Sequence, residues 1–103
     1  MKNMMDLQKM LRTAKDMQDK LQKELAGMRV EGTSGGGMVT VALDGHKRLL
    51  TLRLEPEVVN KDEVDMLQDL IVAAFNDAAA KADEAVSQKL GGLTGGLKIP
   101  GLG

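Results

Sequence analysis

Phe75 is the only aromatic residue in the chain, and it stands inside the polar-interrupted apolar run from Leu67 to Ala78. Aromatic side chains normally supply much of the bulk of a core. Here that bulk has to come from Leu, Val, Ala and eight Met. At 103 residues the chain makes one domain at most, and a short chain buries a smaller share of its surface than a long one. A core completed by a second copy is therefore expected. Leu67, Leu70, Ile71, Ala74, Phe75 and Ala78 recur in steps of three and four, as in a buried helix. The run holds no nucleophile, metal-ligand cluster or phosphate loop.

The first 28 residues read as one long helix over 3–28. Met4, Leu7, Leu11, Ala14, Leu21, Leu25 and Met28 form a heptad-like stripe, interrupted at Gln18 and widened by Met10 and Met17. Gln18 either fixes register at a seam or stays wet at its edge. Methionines at this spacing read as core, or alternatively as a soft, adaptable binding groove. Neither Gly nor Pro occurs before Gly27, which marks the end.

From residue 29 the period changes. Val39, Val41 and Leu43 alternate, as do Leu50, Leu52 and Leu54. Asp44-Gly45 between them is a hairpin signal, with Gly tolerating positive φ. Val30–Ser34 is a weaker strand joined through Gly35-Gly36-Gly37. These pieces predict a three-stranded antiparallel meander that Pro56 terminates. Asn60-Lys61-Asp62-Glu63 resembles a capping box for a second helix running to about Leu90. The expected class is α+β in the order α-β-β-β-α, with one domain over 1–90 and a flexible Gly-rich tail over 91–103. The alternative for the tail is a segment that orders on a partner through Leu93, Leu97 and Ile99.

Net charge is −1, but its distribution is uneven. Residues 1–29 carry seven basic and four acidic side chains, or +3; residues 57–88 carry two and eight, or −6. Such asymmetry is what a global pI hides. Lys2, Lys9, Arg12, Lys15, Lys20 and Lys23 lie off the apolar stripe and are candidates for DNA phosphate contacts, which are strong, weakly sequence-specific and salt-dependent. The competing reading is a solvated face paired with its own acids, Asp16 with Lys20 and Asp19 with Lys23. No aromatic platform exists for stacking unpaired bases.

Enzymatic chemistry finds no anchor. Cys is absent, and the lone His46 reads as a solvated turn residue. Asp62/Glu63 and Asp83/Glu84 are adjacent on a helix and diverge. The glycine triplet lies between strands rather than before a helix N-terminus, and the Walker lysine is missing. No cofactor, metal or small-molecule substrate is expected. Without a signal core or a spanning apolar run, the expected location is cytoplasmic, with no membrane partner.

The Met/Gln/Lys-rich first helix, the Val30–Gly37 segment, Val39-Thr40-Val41, the Leu67–Ala78 run and Gly95-Gly96-Leu97 occur in the order seen in the YbaB/EbfC nucleoid-associated family, which the chain resembles along nearly its whole length. Phe75 departs from the small or aliphatic residues common there. The resemblance implies a tweezer-like homodimer, a nucleoid-associated location, and binding of double-stranded DNA that alters DNA conformation, with roles in nucleoid organisation, gene expression and DNA protection. Leu50, Leu52, Leu54, Leu67, Leu70, Ile71, Ala74 and Ala78 are the candidates for dimer or helix packing, either on the first helix or on the partner chain. The rival class is a protein-interaction module, a chaperone-like helical clamp without direct DNA function.

Overall fold

The change of hydrophobic period near residue 29 is realised as a change of element. The computed structural model describes residues 3–93 and has the order α1 (Asn3–Ala26), β1 (Val30–Ser34), β2 (Val39–Leu43), β3 (Leu49–Leu54), α2 (Val64–Leu93). Short 3-10 turns occupy Gly35–Gly37 and Pro56–Val58. The expected α-β-β-β-α order of an α+β fold is what forms.

The sheet is an antiparallel meander with strand order β1-β2-β3. Gly32 pairs with Val41, and Val41 with Leu52; Ser34 pairs with Val39, and Val39 with Leu54. Side chains of paired residues share a face. One face therefore carries Val39, Val41, Leu43, Leu52 and Leu54, and α2 lies on it; an irregularity beside Leu43 pairs that residue with Leu49 and leaves Leu50, expected on the same face, out of the register. Val39, Val41 and Leu43 are buried there with Val58, Ala74 and Ala78. Leu54, Leu67, Leu70 and Ile71 pack around that cluster, half-buried. The opposite face carries Glu31, Thr33, Thr40, Ala42, Thr51 and Arg53.

Small residues set how closely α2 approaches. Ala74, Ala78 and Ala82 recur every four positions and are fully buried. Beneath them is Gly32, where an added Cβ would sit 2.2 Å from the Ala78 amide nitrogen and 2.5 Å from the Ala74 carbonyl oxygen. The helix backbone thus rests on the β1 backbone. Two side-chain bonds tie the elements together. Thr33 N–H donates to Asp77 Oδ2 at 3.0 Å, and Ser34 Oγ donates to the Leu70 carbonyl at 2.5 Å.

Several local details differ from expectation. Gly45 does not supply the positive φ of the β2–β3 turn; Lys47 does, at φ 64°. Gly45 is required for space instead, since a Cβ would lie 2.8 Å from the Leu25 carbonyl oxygen that its own N–H bonds at 2.8 Å. The turn is organised by buried Asp44, whose Oδ1 accepts from the N–H of His46 at 2.8 Å and of Arg48 at 2.9 Å. Asn60 caps a turn ahead of the helix, its Oδ1 accepting from Asp62 N–H at 2.9 Å, while Leu67 N–H bonds Glu63 O. The helix consequently starts at Val64. It also continues through Gly91 and Gly92 to Leu93, so the first residues of the expected tail are helical. Residues 94–103, including Leu97 and Ile99, lie outside the described residues.

α2 covers the sheet and not α1, so Leu70, Ile71, Ala74 and Ala78 pack against β-strands rather than the first helix. The reason is geometric: α1 leaves the body. Its residues 4–20 are exposed without a break, Met4 at 76% and Leu11 at 63%, and only Leu21, Glu24 and Leu25 become half-buried. The methionines of this helix are therefore not protomer core. The molecule measures 74 × 25 × 17 Å with a radius of gyration of 19.9 Å, where a compact chain of this length would have about 13 Å.

Candidate nucleic-acid interface

α1 is a free-standing arm whose sequence explains why it holds helical form. Lys, Gln, Leu, Met and Ala dominate it, and their cost in a helix is small. Its 24 residues exceed the length at which isolated helices become marginal. Asp6 in the first turn and Lys23 in the last agree with the helix dipole.

The arm has two chemically distinct faces. Met4, Leu7, Leu11, Ala14, Leu21 and Leu25 follow steps of three, four and seven along one side. Lys9, Arg12, Lys20 and Lys23, in steps of three, eight and three, lie on the opposite side, and Lys15, four residues after Leu11, borders the apolar stripe. From Lys9 to Lys23 the helix rises about 21 Å. A duplex presents about twelve charges over that distance.

The acids expected to neutralise this face do not engage it. Asp16 and Asp19 precede Lys20 and Lys23 by four, yet among the described residues none of Lys9, Arg12, Lys15, Lys20 and Lys23 forms an ion pair. The ion pairs present are Arg29–Glu31, Lys47–Asp83, Lys81–Asp77 and Lys89–Glu24. All lie in the body or where α1 enters it. Lys2 lies outside the described residues. The structure thus groups Lys9, Arg12, Lys20 and Lys23 on one exposed face with Lys15 at its margin.

The arm is anchored at its C-terminal turns. The Leu25 carbonyl accepts from Gly45 N–H, and His46 Nε2 lies 3.4 Å from the Gln22 carbonyl. Lys89 Nζ is 3.8 Å from Glu24 Oε2. The β2–β3 turn therefore meets the last turns of α1, where the Leu25 carbonyl is one of those that a helix terminus leaves without an intrahelical partner. Arg29, whose guanidinium reaches Thr51 Oγ1 at 3.4 Å, and Arg53 add positive charge on the sheet face opposite α2. Neither stood out in the sequence: Arg29 follows the end of the first helix, and Arg53 sits in a charge-balanced stretch. The alternation of strand residues is the signal that places Arg53 opposite Leu52.

Two carboxylates in the body are held below the ordinary aspartate range. For Asp44 the main cause is the N–H of Arg48, with that of His46 adding to it. For Asp77 it is the N–H of Thr33, followed by the Lys81 ammonium. Both are structural acceptors rather than reactive groups. Among the described residues, no group of three or more His, Cys, Asp or Glu is placed to hold a metal ion, and no helix is long and apolar enough to cross a membrane.

Comparison with known proteins gives consistent matches. The model of the YbaB/EbfC DNA-binding family matches residues 1–97. A nucleoid-associated protein of Geobacillus kaustophilus is 56% identical over 78 residues, covering 76% of this chain and 72% of that protein. One from Koribacter versatilis is 43% identical over 96 residues, covering 93% and 95%. One from Dictyoglomus turgidum is 44% identical over 100 residues, covering 97% and 96%. An uncharacterized protein from Helicobacter pylori shares the fold, with a TM-score of 0.72 at 22% identity over 86% of this chain and 94% of that one.

Proposed function

This chain belongs to the YbaB/EbfC DNA-binding family and is a nucleoid-associated DNA-binding protein, and we propose that it engages double-stranded DNA as a homodimer through phosphate contacts from the basic face of α1. The observation that carries the reading is the arm itself. Lys9, Arg12, Lys15, Lys20 and Lys23 are exposed on a helix that touches nothing else along most of its length, and no carboxylate within ion-pair distance neutralises them. Lys2, at the same end of the chain, belongs to the set by sequence. The −6 charge of residues 57–88 argues against the α2 side as the contact surface.

Two arms on one dimer allow weak phosphate contacts to add, because the second engagement becomes intramolecular. Binding by this route neutralises phosphates without reading base edges. A duplex held by two arms is constrained along its path, which is how such a dimer alters DNA conformation. Nucleoid organisation, gene expression and protection of DNA are the processes this activity serves in our reading. We read residues 1–90 as one functional domain, although α2 itself runs on to Leu93.

The test is a titration of duplex DNA at several salt concentrations, comparing the wild-type chain with the triple variant K9Q/R12Q/K15Q. Loss of affinity across unrelated sequences is expected. The log–log salt slope should be shallower by about 1 for each phosphate contact removed. A triple variant that stays dimeric and binds as tightly at low salt would show that the basic face is not the contact.

The second reading, a protein-binding clamp, draws on the exposed Met4, Met5, Met10 and Met17, since methionine-rich surfaces adapt to varied partners. DNA binding lost at modest salt while one protein partner is retained would favour it.

A further inference from the structure

The basic face of α1 has an acid at its centre. Lys9, Arg12, Asp16, Lys20 and Lys23 follow one another in steps of three, four, four and three. Residues at such spacings share one side of a helix. Asp16 is the midpoint of this symmetric row, four residues from Arg12 and four from Lys20, with Lys9 and Lys23 seven away on either hand. All five residues are exposed. Thr13 and Asp19 stand on the two flanks of the row.

Arg12 with Asp16, and Asp16 with Lys20, have the spacing of helical ion pairs. Neither pair forms; the ion pairs among the described residues all lie elsewhere. Asp16 also takes part in none of their side-chain hydrogen bonds. The carboxylate is therefore not used by the protomer. Against DNA it is repelled wherever a phosphate comes close. An arm running along one strand would press Asp16 among the phosphates that Arg12 and Lys20 attract.

An arm lying across the major groove avoids that repulsion. Arg12 and Lys20 are eight residues apart, a rise of about 12 Å, and the major groove of B-form DNA is about 12 Å wide. Lys9 and Arg12 then meet one phosphate strand, and Lys20 and Lys23 meet the other. Asp16 lies between them over the groove floor, where base edges replace phosphates. A carboxylate only accepts hydrogen bonds, so it needs an exocyclic amine. This groove offers cytosine N4 and adenine N6. Adenine sets its N7 acceptor beside the amine, which repels a carboxylate, and cytosine carries a C–H there instead. Cytosine is the better match.

We propose that Asp16 accepts a hydrogen bond from the N4 amine of a cytosine in the major groove, while the cations on either side of it hold the two phosphate strands. The inference rests on the reading of the α1 basic face as the DNA contact and adds a sequence preference to it. Phosphate contacts position the arm without reading sequence. The single carboxylate is what favours a C·G pair beneath the centre of the arm. Asp19 lies off the row and next to Lys20, over a strand rather than over the floor.

The full-length chain is titrated at low salt against two duplexes of one mixed sequence, one unmodified and one with every cytosine replaced by N4-methylcytosine. The methyl group takes the place of the groove-facing N–H and leaves the pairing N–H intact. The wild type should bind the modified duplex about fivefold more weakly, the lower end of what one base contact discriminates. Asp16→Ala, with the helical circular dichroism of the wild type, should bind both duplexes alike, and Asp19→Ala should keep the wild-type ratio. Equal wild-type binding to both duplexes overturns the inference, including the case in which Asp16→Ala raises affinity for both and so marks Asp16 as a merely repulsive charge. An Asp16→Ala ratio equal to that of the wild type overturns it as well. The reading beneath it is judged on the unmodified duplex with K9Q/R12Q/K15Q. Weak binding by that variant without any wild-type preference removes this inference alone; binding as tight as the wild type removes both.

Discussion

Gly32→Ala is the smallest change that attacks the packing of the signature helix. The new Cβ would lie 2.2 Å from Ala78 N, 2.5 Å from Ala74 O and 2.7 Å from Ala78 Cα. All three are backbone atoms, so no side chain can swing aside. Restoring ordinary contact requires that 2.2 Å separation to grow to at least 3.4 Å. A rigid helix makes that movement as a body, which lifts Ala74 and Ala78 off the sheet and opens space above Val41. Overpacking of an adjustable core costs about 1–3 kcal/mol, and an unyielding backbone places this case at or above the upper end. Alanine returns about 0.5–1 kcal/mol by restricting the unfolded chain. A net loss of about 2–3 kcal/mol follows. Gly36→Ala is the control. Its Cβ meets nothing within 4 Å, while φ of +69° imposes a left-handed cost of about 1–2 kcal/mol. Urea unfolding followed at 222 nm, at one protein concentration because dimerisation contributes to stability, compares the two. If Gly32→Ala were no less stable than Gly36→Ala, the close approach of α2 to β1 would not be what positions the helix.

Other outcomes follow from the same contacts. Asp44 and Asp77 have lowered folded pKa values, so the unfolded chain binds more protons near their ordinary value of 3.8; stability is then full above that value and declines as pH falls through the lower folded values. Acid titrations of wild type and Asp44→Asn should show a weaker acid dependence in the variant, and an unchanged curve would remove Asp44 from the account. Gly45→Ala places a Cβ 2.8 Å from the Leu25 carbonyl oxygen; hydrogen exchange should quicken around residues 21–29 while β2 and the centre of α2 stay protected. Gln substitutions at Lys20 and Lys23 remove exposed charges that form no ion pair among the described residues, so melting should move by less than about 0.5 kcal/mol, while DNA affinity drops.

Most of the architecture was legible because the hydrophobic period is regular. The step from three-and-four spacing to alternation marks where α1 gives way to β1, and Pro56 stops the sheet one residue after Glu55. What escaped notice depends on neighbours distant in sequence. Gly32 reads as a weak strand residue until α2 is laid across it. Gly45 reads as a turn residue with positive φ until the α1 terminus is placed against it, and then its lack of a Cβ matters and its φ does not. The apolar stripe of α1 signals burial but says nothing about which molecule supplies the cover; among the described residues nothing covers it over 4–20. The basic residues were visible, but whether their own acids neutralise them is a question of side-chain geometry that spacing alone leaves open.

The signature run and the candidate DNA contacts are thus separated by design of the fold. Ala74 and Ala78 are consumed by the sheet, so the Leu67–Ala78 run cannot also present a binding groove without unfolding the core. Its unused flank, Ile71 and Phe75, is apolar and beside leucines, which suits another protein surface and not a phosphate backbone. α1 has the opposite character: it contributes little to the protomer's core, and among the described residues its Lys9, Arg12, Lys15, Lys20 and Lys23 form no ion pair. A variant that loses the arm's charges should therefore keep its fold and its dimer while losing DNA, and a variant that loses the dimer should lose avidity while each separate arm keeps its weak phosphate affinity. A single measurement distinguishes them. At low salt and high protein concentration, L50D/L52D, which charges two of the candidate dimer-packing leucines, should recover much of its DNA occupancy, because intrinsic contacts remain, whereas K9Q/R12Q/K15Q should not. Equal loss for both under those conditions would mean that dimerisation and the arm do not divide the work in this way.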